Sequence, residues 1–320
     1  MPRTPLALAL PDLTDRRAVV TGASDGIGLH IAAGLARAGA DLVLPVRNTA
    51  KGEAAADRLA EEAPGARVTV LPMDLSSLAS IRDLGTRLRA DGAPLHLLIN
   101  NAGVMTPPER QVTKDGFELQ FGTNHLGPVA LVAELLPLLA AGRARITSQV
   151  SVAANEGAIN RDDPQWERAY RGMDAYRQSK IAFGLFALEL QRRSARNGWG
   201  ITSNLSHPGV APTSLLSARP ELDRAADTRS VRIIRWLSAR GILVGTPESA
   251  ALPALFAATS SAAEPGALYG PRGPGHLGGA PGPQRMYSRL TDETAAGRIW
   301  DLSERLIGRR IGDADARSAD

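Results

Sequence analysis

The sequence predicts an α/β fold in which helices cover both faces of a doubly wound parallel sheet. Two features of the first two hundred residues indicate it. Short apolar runs alternate with longer segments of helical length and period, the pattern of βαβ units. A glycine-rich turn directly follows the first apolar run and opens a helical segment. No internal repeat and no linker divides the chain, so we expect one domain over residues 1–320.

Each predicted strand is a short apolar run that precedes a helical segment. Strands joined by such crossovers lie parallel, and their carboxyl ends meet at one edge of the sheet. The six runs are 17–22, 41–46, 67–72, 96–101, 144–150 and 200–206.

The pattern changes after about residue 213. Residues 214–245 are predicted to form an inserted helical region. Residues 246–260 are predicted to form a further helix, with Thr246 as its N-cap. The segment 264–284 is rich in glycine and proline and is expected to be mostly loop. Residues 291–308 are expected to close the fold as an amphipathic helix.

The composition is that of a soluble globular protein, with 43% hydrophobic and 22% charged residues. The net charge of +4 is dispersed along the chain, so no nucleic-acid partner is implied. The chain has no cysteine, and neither His125 nor His207 has a second ligand at metal spacing. We therefore expect no metal site. We also expect no membrane span and no membrane partner, and a cytoplasmic location. A homo-oligomer is possible.

The turn after the first strand carries Gly22, Gly26 and Gly28 in the pattern T-G-x-x-x-G-x-G. Missing side chains let a backbone approach a pyrophosphate, and a helix N-terminus offers it free N–H groups. A glycine-rich turn without a ligand is the alternative. The strand before the turn and the helix after it favour a dinucleotide.

Further motifs follow the glycine turn in order: "DL" at 74–75, "NNAG" at 100–103, Asn124, Ser151, "YRQSK" at 176–180 and "HPGVAPT" at 207–213. Together they resemble the short-chain dehydrogenase/reductase family, and "TGASDGIGL" and "IWDLSERLIG" resemble its retinol-dehydrogenase-like branch. Two positions depart from the family pattern. Gln149 and Val150 precede Ser151 where a double serine is more usual, so Ser151 is assigned by register. Asp25 stands where members that prefer the phosphorylated cofactor often have a basic residue.

The resemblance implies a Rossmann-type fold and a set of site residues. The implied catalytic residues are Asn124, Ser151, Tyr176 and Lys180. The implied cofactor-binding residues are Gly22, Ser24, Asp25, Gly26, Ile27, Gly28, Arg47, Asp74, Leu75, Asn101, Ala102, Gly103, Tyr176, Lys180, Pro208, Gly209, Val210 and Thr213.

Tyr176 and Lys180 stand four residues apart, which places them on one face of a helix. A nearby cation favours the phenolate and is expected to lower the pKa of the phenol. Such a phenol can give a proton to a carbonyl oxygen or take one from an alcohol. The resemblance adds that Lys180 holds the nicotinamide ribose, that Ser151 orients the substrate oxygen, and that Asn124 positions a water.

The sequence after the second strand favours NADP(H), with NAD(H) as the alternative. An acidic residue there would accept a hydrogen bond from a ribose hydroxyl, whereas an arginine meets a 2′-phosphate. The chain offers Val46 and Arg47 and no carboxylate at that point, while Asp25 would oppose a phosphate.

The predicted function is reversible carbonyl–alcohol conversion on a bulky apolar substrate that resembles a retinoid, steroid or polyketide. Residues 152–175 and 214–245 are expected to wall the substrate crevice, and the apolar side chains of 214–245 suggest a lid or, equally, fixed packing. Six arginines within 219–240 predict a solvated helix face, with docking of an acidic partner as the alternative. Two rival functions stay open: reduction of a carbon–carbon double bond, and a non-catalytic dinucleotide sensor.

Overall fold

The computed structural model describes residues 8–213, 227, 229–240 and 243–312. Within these ranges, one eight-stranded sheet has the order β3-β2-β1-β4-β5-β6-β7-β8. All neighbouring strands are parallel except β7 and β8, which are antiparallel. The strands are β1 (Arg17–Val20), β2 (Asp41–Val46), β3 (Val68–Pro72), β4 (Leu97–Asn100), β5 (Arg145–Gln149), β6 (Thr202–Ser206), β7 (Leu268–Pro271) and β8 (Pro281–Gln284).

Helices connect the parallel strands and close the chain. They are α1 (Gly26–Arg37), α2 (Thr49–Glu62), α3 (Leu78–Asp91), α4 (Leu119–Phe121), α5 (Gly127–Ala141), α6 (Gly172–Asn197), α7 (Arg229–Ala239), α8 (Pro247–Thr259) and α9 (Glu293–Ile307). A π-helical turn, Gly122–Leu126, joins α4 to α5.

Alternate side chains of β1 enter two separate apolar cores. Ala18 and Val20 lie in the core that α1, α2 and α8 complete, whereas Val19 lies in the core of α3, α5, α6 and α9. This is the period of two that a strand buried on both faces requires. Helices therefore cover both faces of the sheet, which confirms the predicted doubly wound α/β fold.

The six predicted strands are all present, and their ends agree with the prediction within two residues. The helix predicted over 246–260 is α8, and the Thr246 hydroxyl caps it by accepting a hydrogen bond from the Ser249 amide at 3.2 Å. The helix predicted over 291–308 is α9, which ends at Gly308 in the left-handed conformation with φ 67°.

The segment 264–284 is more regular than predicted, because it contains both β7 and β8. A side chain at Gly270 would collide with the His207 ring, so this glycine lets β7 pack beside β6. β8 contains Pro281 and Pro283, which an edge strand tolerates because it needs partners on one side only. Gly270, Pro271, Pro281, Gly282 and Pro283 thus lie in strands at the end of the sheet, whereas the other glycines and prolines of the segment lie outside them.

The predicted insertion 214–245 is described in part. Helix α7 and residues 227, 240 and 243–245 belong to the described structure, whereas 214–226, 228 and 241–242 lie outside it.

One helical stretch, Leu119–Ala141 (23 residues), is long and apolar enough to cross a membrane, among the described ranges. Its most apolar window is 83% buried within the fold. The stretch packs between α3 and the central strands as part of a core, and its composition follows from that burial.

The C-terminal helix α9 closes the second core. The Trp300 ring stacks on Phe186 with 5.1 Å between centroids. The Ser303 hydroxyl lies 2.8 Å from Nε2 of His125, whose pKa burial lowers to about 3. His125 is therefore a neutral packing residue at neutral pH.

Candidate active site

A cavity of about 1130 Å³ lies at the carboxyl ends of β1 to β6. The sheet order reverses between β1 and β4, and such a switch point is where open α/β sheets bind ligands. Every sequence-predicted site residue lines this cavity except Asn124. The structure thus brings together side chains from seven separate segments of the chain.

The glycine turn leaves an open cradle at one end of the cavity. Gly22 has a left-handed backbone with φ 68°, and Gly26 likewise with φ 54°. A Cβ on Gly28 would collide with the Gly22 carbonyl oxygen and would lie 2.6 Å from Nδ2 of Asn101. Only glycines allow this close return of the chain, and the N-terminus of α1 faces the cradle. These residues fit a pyrophosphate.

Asp25 has a structural partner in this turn. Its carboxylate accepts a hydrogen bond from the Gly26 amide at 2.6 Å and so caps α1. Asp25 is the residue that, by the family resemblance, would disfavour a phosphorylated cofactor. In the structure it stabilises the turn itself.

Asn101 braces the glycine turn from β4. Its Nδ2 donates to the Thr21 carbonyl at 2.9 Å, and its backbone amide donates to the Thr21 hydroxyl at 3.0 Å. Its Oδ1 accepts from Nε2 of Gln149 at 2.6 Å. Gln149, where the family more often has serine, therefore links β5 to the cofactor turn, a role that the sequence analysis missed.

The corner of the cavity after β2 is positively charged. Arg47 and Lys51 both line it, and no carboxylate occurs between Val46 and Glu53. Asn48 caps α2 by accepting from the Lys51 amide at 3.0 Å, so the helix N-terminus also faces this corner. The sequence analysis found Arg47 but missed Lys51, which stands one helical turn further on. The arrangement fits an anion better than a ribose hydroxyl.

Asp74 lies at the next strand end with its carboxylate already paired. Burial raises the pKa of Asp74, but hydrogen bonds from Ser76 and the ammonium of Lys114 lower it by more. The pKa of Asp74 is therefore below its usual value. The Ser76 hydroxyl donates at 2.7 Å, and Nζ of Lys114 lies 3.3 Å away. The carboxylate stays charged and fixed at this wall of the cavity.

Ser151, Tyr176 and Lys180 meet at the opposite end. The Tyr176 side chain is 3% exposed. Burial raises the pKa of Tyr176, while its hydrogen bond with Ser151 acts in the opposite direction. Nζ of Lys180 lies 6.0 Å from the centroid of the tyrosine ring and donates to the Gln149 carbonyl at 3.0 Å.

The expected net lowering of the Tyr176 pKa is therefore wrong for this geometry, because burial outweighs the other influences. Both groups are buried, so both charged forms are disfavoured, and burial lowers the pKa of Lys180 to about 8. A tyrosine with a raised pKa is protonated at neutral pH and can donate a proton.

Asn124 lies behind the cavity wall rather than on it. It is 1% exposed, its Oδ1 accepts from the Val104 amide at 2.7 Å, and its Nδ2 donates to the Ser179 hydroxyl at 3.0 Å. The π-helical turn after α4 places this amide against the strand-end loop, and such turns recur at functional sites. Asn124 thus ties the loop after β4 to α6.

The wall near Ser151 and Tyr176 is largely apolar but has a charged corner. Arg177 contributes that corner, with its guanidinium 2.9 Å from Glu156 and 3.1 Å from Asp174. Sequence analysis singled out few of the lining residues here, which are Val104, Met105, Val152, Ala153, Asn155, Glu156, Met173, Arg177 and Ile234.

His207 precedes the loop that closes the cavity over β6. Its Nδ1 accepts from the Gly209 amide at 3.3 Å, and burial lowers its pKa to about 4. It acts as a neutral support of the loop, in agreement with the structural role predicted for it. Among the described residues, no group of three or more His, Cys, Asp or Glu side chains could hold a metal ion.

The fold and the cavity together define a dinucleotide-dependent oxidoreductase. The sequence profile of the short chain dehydrogenase family matches residues 16–223. Human retinol dehydrogenase 13 is 39% identical over 292 residues, which cover 91% of this chain and 84% of the relative. Polyprenol dehydrogenase of Mus musculus is 36% identical over 315 residues, which cover 96% of this chain and 88% of the relative.

Solved structures agree with this assignment. A crystal structure of an uncharacterised protein from Mycobacterium paratuberculosis has a TM-score of 0.72 and 34% identity, covering 94% of this chain and 97% of that one. The Pseudomonas aeruginosa RhlG/NADP complex has a TM-score of 0.61 and 27% identity, covering 80% and 94%. The chain belongs to the short-chain dehydrogenase/reductase family, in its retinol-dehydrogenase-like branch. It is an NAD(P)-dependent enzyme that acts on CH–OH groups.

Proposed function

We propose that the chain interconverts a ketone or aldehyde and an alcohol on a bulky apolar substrate, with NADP(H) as the preferred cofactor. The observation that carries the proposal is that Ser151 meets the buried Tyr176 and Lys180 at one end of a cavity whose other end has the glycine cradle. When bound, the nicotinamide supplies or accepts the hydride, which no side chain can do.

Each residue of the group has a distinct task in this proposal. The Tyr176 hydroxyl donates a proton to the substrate oxygen in reduction and accepts it in oxidation. Ser151, already hydrogen-bonded to Tyr176, orients that oxygen. Lys180 contributes a buried positive charge that favours the phenolate when oxidation requires it. Asn124 holds the loop beside them in place.

Replacing Tyr176 tests this chemistry. Tyr176→Phe keeps the ring but removes the proton donor, so turnover should fall by at least about a thousandfold while dinucleotide affinity changes little. Tyr170→Phe is the matched control, because Tyr170 bonds to Gln120 and does not line the cavity. Retention of most activity in Tyr176→Phe, with intact cofactor binding, would favour a non-catalytic sensor or a different chemistry.

The preference for NADP(H) is supported by the charged corner after β2. Arg47, Lys51 and the N-terminus of α2 line the corner that is proposed to hold the 2′-phosphate. Arg47→Ala and Lys51→Met should each raise the Michaelis constant for NADPH about tenfold and leave that for NADH nearly unchanged. Arg58→Ala, on the same helix and paired with Glu62, should alter neither. Equal effects of Arg47→Ala on both cofactors would contradict the assignment.

The substrate class is supported by the apolar wall and by the relatives, whose names refer to retinol and polyprenol. A panel of retinoid, polyprenyl and steroid carbonyls should be reduced more efficiently than small polar ketones, as measured by loss of reduced-nicotinamide absorbance. Product analysis separates carbonyl reduction from reduction of a carbon–carbon double bond. Efficient turnover of small polar ketones alone would exclude the apolar assignment.

We also propose that residues 214–245 cover the substrate and that residues 1–320 form one domain. Ile234 of α7 lines the cavity, which supports the cover. A cytoplasmic location is likewise proposed, and cell fractionation tests it.

A further inference from the structure

Helix α7 has an outward face that is apolar. The side chain of Ile233 is 58% exposed and that of Trp236 is 52% exposed, three residues further along the helix. Both fall on the same side of a helix, because side chains three or four residues apart are neighbours. Arg240 lies one turn beyond Trp236, and its guanidinium carbon is 4.0 Å from the centroid of the Trp236 ring.

The opposite face of the same helix points into the protein. Val231 and Ser238 are buried, and the Ser238 hydroxyl donates to the Gly245 carbonyl at 2.8 Å. Ile234 lies between them along the helix and lines the cavity. One helix therefore separates the substrate end of the cavity from the exposed apolar face.

The charged residues of α7 itself are all basic. From residue 228 to residue 247 the sequence has no Asp or Glu and has the arginines Arg229, Arg232, Arg235 and Arg240. Arg235 forms an ion pair with Asp227, which precedes the helix. Arg232 is exposed beside the apolar face. Exposed tryptophan and isoleucine side chains flanked by arginines are typical of helices that lie in a membrane interface.

We propose that the outward face of α7, formed by Arg232, Ile233, Trp236 and Arg240, docks on the surface of an anionic phospholipid bilayer. Trp236 and Ile233 enter the headgroup region, and the arginines meet lipid phosphates. A second copy of the chain fits this face less well, because a twofold contact would set arginines against arginines. The sequence analysis expected no membrane partner, since it considered only segments that span a bilayer.

Docking would also place the cavity beside the bilayer. Ile234 is the inward neighbour of Ile233, so the substrate end of the cavity would lie one helix thickness from the lipid. Long apolar alcohols reside in lipid rather than in water. This consequence rests on the proposed function, whereas the docking itself does not.

Vesicle co-sedimentation of the full chain, without substrate, tests the docking. The wild type should bind vesicles of phosphatidylcholine and phosphatidylglycerol in equal parts, more weakly at high salt, and should bind phosphatidylcholine vesicles much less. Trp236→Ser and Ile233→Ser should each lower the partition coefficient about tenfold, and Arg232→Gln about fivefold. Val112→Ser and Arg82→Gln are matched controls at exposed positions elsewhere, and should leave binding unchanged.

Tryptophan fluorescence gives a second readout. Of the four tryptophans, Trp166 and Trp300 are buried, with 6% and 0% exposure, and Trp199 is half-buried against the second core. A blue shift on adding anionic vesicles should therefore come mainly from Trp236, which is 52% exposed. Trp236→Phe should still bind but should lose most of the shift. A shift that persists in Trp236→Phe would contradict the proposed orientation.

Other occupants of this face give different results. Equal binding to neutral vesicles would overturn the role of the arginines. Binding to heparin without binding to vesicles, or self-association that Trp236→Ser abolishes in sedimentation velocity, would overturn the proposal in favour of a polyanion or a second copy. Tyr176→Phe should bind vesicles like the wild type, so a failure of the proposed chemistry and a failure of docking are told apart.

Discussion

Lys180, proposed above to take part in catalysis, should also be a source of instability. Its ammonium is 4% exposed and has one hydrogen bond, to the Gln149 carbonyl at 3.0 Å. Burial lowers the pKa of Lys180 from 10.5 to about 8. Keeping this side chain charged at neutral pH therefore lowers the free energy of unfolding of the protein.

That free energy follows from the pKa. A lowering from 10.5 to about 8 corresponds to about 3 kcal/mol at neutral pH. Replacing the side chain with methionine removes this penalty but leaves the Gln149 carbonyl without its donor, which costs about 1 kcal/mol. Lys180→Met should thus raise the free energy of unfolding by about 2 kcal/mol near neutral pH, while it abolishes turnover.

The gain should depend on pH. Between the folded pKa and the unfolded pKa, the unfolded wild type binds more protons than the folded one, so wild-type stability rises with pH. The penalty is present in full below about pH 8 and is lost as pH rises to 10.5. The advantage of Lys180→Met should therefore vanish at about pH 9.8, where the remaining penalty equals the cost of the lost hydrogen bond.

Urea unfolding of the wild type and of Lys180→Met, without cofactor, at neutral and alkaline pH measures this difference. Lys114→Met is the control, because the Lys114 side chain is 69% exposed and its replacement should produce no such crossover. A stability difference between wild type and Lys180→Met that is the same at every pH would refute the reasoning.

Two of three further predictions concern the cofactor cradle, and the third concerns a glycine of α9 that serves as a comparison. Gly28→Ala should abolish dinucleotide binding in a fluorescence titration, because its Cβ would collide with the Gly22 carbonyl. Gly297→Ala in α9 should instead stabilise the protein by about 0.5–1 kcal/mol in urea unfolding, because a Cβ there would meet nothing within 4 Å. Normal binding by Gly28→Ala would show that the turn relaxes. Gln149→Leu should raise the Michaelis constant for the dinucleotide about tenfold and alter kcat less, because Asn101 loses the donor to its Oδ1; an unchanged Michaelis constant would remove Gln149 from the brace.

The fold and the location of the site could be predicted because the signals are local and their order is fixed by the chain. Gly22, Asp74 and Ser151 each follow an apolar run, and parallel strands bring such positions to one edge without any knowledge of packing. The strand β7 carried no such signal. Its Gly270 is needed because His207 comes from β6, a contact that only the folded chain reveals.

The electrostatics of the site could not be predicted for the same reason. A spacing of four residues places Tyr176 and Lys180 on one helix face but does not say that the face is buried. In the folded protein, burial sets the sign of both pKa changes, upward for the phenol and downward for the ammonium. The phenol therefore holds its proton at neutral pH, which suits it to act as the acid in carbonyl reduction. In the proposed oxidation the phenolate would have to form, and the buried charge of Lys180, which destabilises the fold, is the group proposed to favour it.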